Sequence, residues 1–201
     1  LAYKEVLKKY KKIRLSTVAG GLKKELFLFQ KAAIDFIAEH KRVLLADESG
    51  LGKTYTSIAS ALSCKEGGAE KVLVVSPKSA VKWWGTEIVD STDIPRENVY
   101  VHGSKNNPDI EDSRFVVVNY EAIRKPRSAL RKKLLNAGFD FIIVDEAHRM
   151  RNDKTLQAEA IMEFDAEYKL LVSATPLVGR KVRKLFPLLH WLNPDIFTDR
   201  E

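Results

Sequence analysis

Val43-Leu44-Leu45-Ala46-Asp47-Glu48-Ser49-Gly50-Leu51-Gly52-Lys53-Thr54 is the stretch from which the other segments can be placed. Its apolar run, Val43 to Ala46, stops at polar, glycine-rich residues, and Gly52-Lys53-Thr54 opens a segment of helical character. That is the strand, loop and helix order of a phosphate-binding loop. Such a loop needs several backbone N–H groups turned inward around a phosphate, and glycine permits both the unusual backbone angles and the close approach. The N-terminus of the following helix adds a partial positive charge. In this arrangement Lys53 reaches the β- and γ-phosphates and the Thr54 hydroxyl ligates Mg²⁺. The common pattern has Gly six residues before the Lys, where this chain has Asp47. A plain glycine-rich turn is therefore the alternative, and the decision falls to an acidic motif downstream.

That motif is Ile142-Ile143-Val144-Asp145-Glu146, an apolar strand that delivers two carboxylates to its end. Burying charge is costly unless a cation or proton compensates. Mg²⁺ held by Thr54 and Asp145, often through water, is the economical reading. Glu146 can then orient and deprotonate an attacking water. A helix N-cap at Asp145 would explain one acid, but not two acids after a phosphate loop.

Other apolar runs, Val72 to Val75, Val99 to Val101, Phe115 to Val118, Phe139 to Val144 and Leu170 to Val172, alternate with helical segments. Continuous apolar strands alternating with helices predict a parallel sheet covered on both faces. Chemistry on such a sheet lies beyond the carboxyl ends of the strands. Lys53, Pro77, Asn119, Asp145 and Thr175 all fall just past a strand end. A helical stripe of Leu22, Leu26, Phe29, Ala33, Phe36 and Ile37 is expected to pack beside the loop strand. Ser79 is read as an N-cap, Arg127 to Leu135 as a basic helix, and Pro187 as a break or a fresh helix start.

The 201 residues are 45% hydrophobic, which suits one domain with a substantial core. Residues 1–24 carry eight Lys/Arg against the single acid Glu5, a charge of +7 that equals the net charge of the whole chain. Most of the basic excess therefore belongs to an N-terminal amphipathic segment, residues 1–21, with Tyr3, Val6, Leu7, Tyr10 and Ile13 at helical spacing. It reads either as a nucleic-acid contact or as a solvated helix face. The single cysteine, Cys64, fits a reducing, intracellular setting, and no apolar run is long enough to span a bilayer.

Asp145-Glu146-Ala147-His148 spells the box that names one group of superfamily 2 helicases, and around it the chain resembles the Swi/Snf family of DNA translocases and chromatin remodellers. Asp47 to Thr54 looks like that family's first motif, with Ser49 where Met is usual and an acid at the position of Asp47. Leu26 to Gln30 resembles the upstream motif whose glutamine reads adenine. Ser76-Pro77-Lys78 with Trp84 and Glu87, Asn119-Tyr120-Glu121, Asp145 to Arg149 with Asn152, Ser173-Ala174-Thr175, and Thr175 to Phe197 resemble the later motifs in order. Ala174 stands where this family more often has Gly.

The resemblance covers roughly residues 22–199. It implies a three-layer RecA-like P-loop NTPase lobe, α/β, with a central parallel sheet and helices on both faces. ATP and Mg²⁺ are the implied cofactors. Gln30, Asp47, Gly50, Leu51, Gly52, Lys53, Thr54 and Tyr55 would hold the nucleotide, Thr54 and Asp145 the metal. Lys53, Asp145 and Glu146 would carry the chemistry. His148, Ser173 and Thr175 would couple the nucleotide site to motif three. Pro77, Lys78, Asn119, Tyr120, Arg124 and Lys125 would face DNA, most readily a duplex. The implied partner within the same protein is a second RecA-like lobe carrying an arginine finger, and Arg149, Arg151 and Arg180 are local candidates for a substitute. A strand-separating helicase on DNA or RNA, or a nucleotide-gated binding module without turnover, is the alternative. Gln30 also fits an ordinary helix position, and the Trp83–Trp84 pair fits core packing better than base stacking. The acid-free run Arg124, Lys125, Arg127, Arg131, Lys132 and Lys133 fits phosphate contact or a solvated face equally.

Overall fold

The computed structural model describes residues 21–177 and 182–198. The basic segment 1–20 and Arg180 lie outside the described residues. Six strands, β1 (Arg42–Leu45), β2 (Val72–Ser76), β3 (Val99–Val101), β4 (Phe115–Asn119), β5 (Phe141–Asp145) and β6 (Tyr168–Val172), pair in parallel in the order β1-β6-β5-β2-β4-β3. Alternate residues feed two cores. Val72, Val74, Val117, Ile143 and Leu170 face one side, where they meet Ile37 of α1 (Leu28–His40), Ile58 of α2 (Lys53–Ser63) and Trp84 and Ile88 of α3 (Val81–Ser91). Leu73, Val75, Val118, Ile142 and Leu171 face the other. There they meet Ile123 of α4 (Tyr120–Ile123), Leu134 of α5 (Ala129–Leu135), Ile161 of α6 (Leu156–Met162) and Trp191 of α7 (Phe186–Leu192). Each such side chain contributes roughly 1.5–3 kcal/mol over leaving it in water, which is why the strands read as continuous apolar runs.

Strand register sets where the motifs lie. Ser76 pairs with Asn119, Val75 with Val144, and Val172 with both Asp145 and Leu45. The carboxyl ends of β1, β2, β4, β5 and β6 therefore line up along one edge, and each is followed by one of the polar motifs.

Several local expectations need correction. The buried residues of α1 are Gln30, Ile34 and Ile37, while Phe29 and Phe36 of the expected stripe are exposed. The helix begins only at Leu28, so Leu22 and Leu26 are not part of it, and Leu22 instead forms an isolated antiparallel bridge with Thr92. Ser79 is not a cap: α3 starts at Val81 after Ala80, without a side-chain cap bond. The basic helix starts at Ala129, not Arg127, because the Ser128 hydroxyl accepts from the Arg131 N–H. β6 begins at Tyr168, earlier than its apolar run. Its Lys169 is buried, and its ammonium bonds the Trp191 carbonyl at 3.0 Å and the Asp165 carboxylate at 2.6 Å. Pro187 sits in the first turn of α7, a fresh helix start. Cys64 is buried, and burial pushes its thiol up to about 11.

Candidate nucleotide site

The loop between β1 and α2 has the backbone that a phosphate cradle needs. Gly50 and Gly52 lie at φ +86° and +72°, the left-handed region where a side chain is strained. At Gly52 a Cβ would also fall 2.7 Å from the Gln30 amide nitrogen. The Lys53 ammonium donates to the Glu48 carbonyl at 2.7 Å, folding back over the loop that it follows. Thr54 is half-buried at the start of α2. Tyr55 is buried, and its hydroxyl donates to the Lys24 carbonyl, so its side chain pins the segment before α1.

Gln30 was expected to read adenine. In this structure it is only 4% exposed and its amide is used at both ends. Its oxygen accepts from the Phe27 N–H at 2.9 Å and its nitrogen donates to the Leu51 carbonyl at 3.4 Å. It braces the start of α1 against the loop after β1, and each end of the amide keeps one further hydrogen-bonding position.

Asp145 ends β5 beside this loop. Burial pushes its carboxyl above the usual carboxylate range. Three groups act against that shift: the Trp84 indole N–H, donating to Oδ2 at 2.9 Å; the Glu146 N–H, donating to Oδ1 at 2.9 Å; and the Lys53 ammonium, through its charge. Among the described residues no cation forms an ion pair with it. A part-buried carboxylate without a cation offers an oxygen donor that suits a hard divalent ion. Thr54 and Asp145 are the residues that would hold a Mg²⁺ ion here.

Glu146 lies at φ 52°, ψ 46°, left-handed for a residue with a side chain. Its Oε2 lies 3.0 Å from His148 Nδ1, which lies 3.5 Å from Ser173 Oγ. Ser173 Oγ in turn accepts from the Thr175 N–H at 3.2 Å. The residues expected to couple the two motifs are therefore in one contact series. Arg151 adds a second tie, its Nε donating to the Pro176 carbonyl at 3.0 Å. Arg149 lies over the Tyr120 ring and 3.9 Å from Glu121. Both arginines are engaged within their own surroundings.

The residues expected to face nucleic acid divide. Lys78, Arg124 and Lys125 are exposed and Pro77 is half-buried. Asn119 is buried, with its side-chain oxygen accepting from the Ala122 N–H as the cap of α4. Tyr120 is a correction. It is fully buried, and its hydroxyl donates to the Asp145 carbonyl at 2.5 Å, so its side chain faces the acidic motif and not the solvent. Burial raises its pKa well above the ordinary phenol value, which keeps it a donor. The basic run is also less free than its sequence suggests. Arg131 is buried against Glu163 at 2.7 Å and Lys133 pairs with Glu111 at 2.8 Å, leaving Arg124, Lys125, Arg127 and Lys132 exposed. Trp84 is core, as expected of the pair, whereas Trp83 is 52% exposed. The bonds of Trp84 and Tyr120 to Asp145 were not foreseen. The one available signal was that a buried indole or phenol needs an acceptor.

Comparison with known proteins identifies the family of the chain. The chain is 33% identical over 169 residues to the ISWI chromatin-remodeling complex ATPase ISW1 of Saccharomyces cerevisiae, covering 79% of this chain and 14% of that protein. It is 33% identical over 170 residues to the human lymphoid-specific helicase, covering 78% and 20%. It is also 33% identical over 157 residues to the uncharacterized ATP-dependent helicase YqhH of Bacillus subtilis, covering 76% and 26%. The chain thus spans between a seventh and about a quarter of the length of these relatives. The fold matches the Sulfolobus solfataricus SWI2/SNF2 ATPase core in complex with dsDNA, with a TM-score of 0.77 at 24% identity, covering 90% of this chain and 38% of that one. The SNF2-related domain model matches residues 29–201, so phosphate loop, acidic motif and motif three all lie inside it, and the chain belongs to the SNF2-related domain family.

Proposed function

We propose that this chain is the ATP-binding lobe of a DNA-dependent ATPase that translocates on duplex DNA or remodels protein–DNA complexes. What carries the reading is one observation: the Lys53 loop, the Asp145-Glu146 pair and the Ser173 motif stand together at the carboxyl edge of one parallel sheet. Lys53 would exchange the Glu48 carbonyl for β- and γ-phosphate oxygens, while the loop N–H groups and the α2 N-terminus surround the phosphates. Thr54 and Asp145 would hold Mg²⁺, which when bound offsets phosphate charge and orients the terminal group. Glu146 would accept the proton of the attacking water, and His148, beside it and Ser173, would report the state of that carboxylate to motif three. A second RecA-like lobe would supply the arginine that completes the transition-state charge, an effect of about 10³–10⁵ in rate. The exposed Lys78, Arg124 and Lys125, just past the ends of β2 and β4, are the proposed contacts to DNA phosphates. An intracellular setting belongs to the same reading; no helix among the described residues is long and apolar enough to cross a membrane.

The test is ATP turnover of protein carrying both lobes, assayed with duplex DNA, single-stranded DNA and RNA. Stimulation by duplex DNA is the expected result. Stimulation by single strands alone would indicate a strand-separating helicase. Binding without stimulated turnover would indicate a nucleotide-gated module.

A further inference from the structure

Asp145 is held from two sides by residues of segments that the acidic motif does not contain. Trp84, fully buried on α3, donates its indole N–H to Asp145 Oδ2 at 2.9 Å. Tyr120, fully buried at the start of α4, donates its hydroxyl to the Asp145 backbone carbonyl at 2.5 Å. Both residues belong to segments that leave the sheet edge. α3 follows Ser76-Pro77-Lys78 after β2, and α4 follows directly on Asn119 at the end of β4. Strands β2 and β4 are paired in register through Ser76 and Asn119, and β2 pairs with β5 up to Val144. The three segments therefore leave the same edge in the order β5, β2, β4, and Asp145 is braced by the post-β2 segment beside it and the post-β4 segment one strand further on.

We propose that Trp84 and Tyr120 are positioning residues for Asp145, one fixing its carboxylate and the other its carbonyl, so that metal binding depends on how the post-β2 and post-β4 segments are seated. This rests on the functional reading above, in which Asp145 holds Mg²⁺ and those two segments meet nucleic acid. The geometry then gives a short path between the two events. A shift of α3 or α4 relative to the sheet moves a donor on which the orientation of the part-buried Asp145 depends. The indole bond also selects one carboxylate rotamer. With Oδ2 committed to Trp84 and Oδ1 already accepting from the Glu146 N–H, the direction of the remaining lone pairs is set. Groups that orient a metal ligand from behind are worth about 10–100-fold in metal affinity.

The experiment uses the 201-residue chain and reads the Mg²⁺ dependence of ADP binding by calorimetry, with ¹⁵N-indole NMR alongside. Trp84→Phe and Tyr120→Phe each keep an aromatic ring and remove one donor. Each should weaken Mg²⁺ binding in the presence of ADP by about 10-fold, while ADP affinity without Mg²⁺ stays at the wild-type value. Trp83→Phe, changed at the exposed neighbour, should leave both affinities unchanged. In the wild-type chain the Trp84 indole N–H resonance should shift when Mg²⁺ is added to the ADP complex, and that of Trp191 should not. The NMR result holds even where a variant folds poorly. Unchanged Mg²⁺ dependence in both folded variants, or a Trp84 resonance indifferent to Mg²⁺, would overturn the proposal while leaving the nucleotide site intact. A wild-type chain whose ADP binding ignores Mg²⁺ altogether would overturn the reading of Asp145 as a metal ligand, and this proposal with it.

Discussion

Glu146 concentrates the conflict between stability and chemistry in one residue. Its left-handed backbone is unfavourable for any residue with a Cβ, by roughly 1–2 kcal/mol. Strain of this kind persists where surrounding structure over-determines it, commonly at working sites. Glu146→Gly should therefore raise the thermal stability of the chain, by about 1 kcal/mol, while abolishing turnover in protein with both lobes. A lower melting temperature in this variant would show that the Glu146–His148 contact outweighs the backbone strain. Glu146→Gln keeps the backbone and removes the base, so Mg·ATP binding should persist while turnover falls by about 10²–10⁴. Quench-flow measurement of turnover would check this. At this scale the placement of Lys53, Asp145 and Glu146 just past strand ends was legible, because the apolar runs before them stop at polar residues. The bonds that Gln30 and Tyr120 make within the chain were not. The position of each residue in a motif is visible in sequence, but whether an amide or a phenol points outward or is spent on a neighbouring carbonyl is set by packing.

Among the elements, the connections at the two edges of the sheet behave differently. At the amino edge, Asp140 just before β5 accepts from the Glu70 and Lys71 N–H groups and pairs with Lys65 at 2.8 Å. Burial alone would raise its pKa, but the Lys65 ammonium and the two amides outweigh burial and hold it below the usual carboxylate range. A carboxylate lowered in this way stabilises the fold above its unfolded pKa, and the contribution is lost as pH falls through the folded value. Asp140→Asn should cost about 1–3 kcal/mol at neutral pH, and the difference from wild type should shrink as the solution is acidified. Denaturant melts from pH 7 down to pH 3 would reveal a constant gap if the charge were irrelevant. At the carboxyl edge, the segment from Arg124 to Lys132 leaves four exposed cations. Removing Arg124, Lys125, Arg127 or Lys132 should each lower the salt slope of DNA binding by about one unit without altering sequence preference. Arg131→Ala should instead destabilise the fold, since its guanidinium is buried on Glu163. An unchanged slope for the four exposed residues would make this a solvated face. The sequence placed the strands well but misphased α1, because Phe29 and Phe36 are the more apolar choice while Gln30 is the residue that is buried. It also shortened β6, because Lys169 does not look like core until Asp165 and the Trp191 carbonyl are beside it.

For the whole molecule, parallel pairing in the order β1-β6-β5-β2-β4-β3 turns a string of separated motifs into one working edge. Alternation of strand and helix made the parallel sheet and its two covered faces legible in advance. Strand order was not legible from that alternation, since continuous apolar strands carry no mark of their neighbours. Yet order is what sets Asp145 between the motif after β6 and the segment after β2. This edge is proposed to bind a nucleotide's phosphates through Lys53 and its metal through Asp145. Lys53→Ala removes the only side-chain ammonium that the loop itself offers, at a half-buried residue that belongs to neither core. Calorimetric titration of the wild-type chain and Lys53→Ala with Mg·ATP, at matched thermal stability, tests the claim most directly. Saturable binding to wild type that is lost or severely reduced in Lys53→Ala is the predicted result; equal affinity in the two proteins would contradict it.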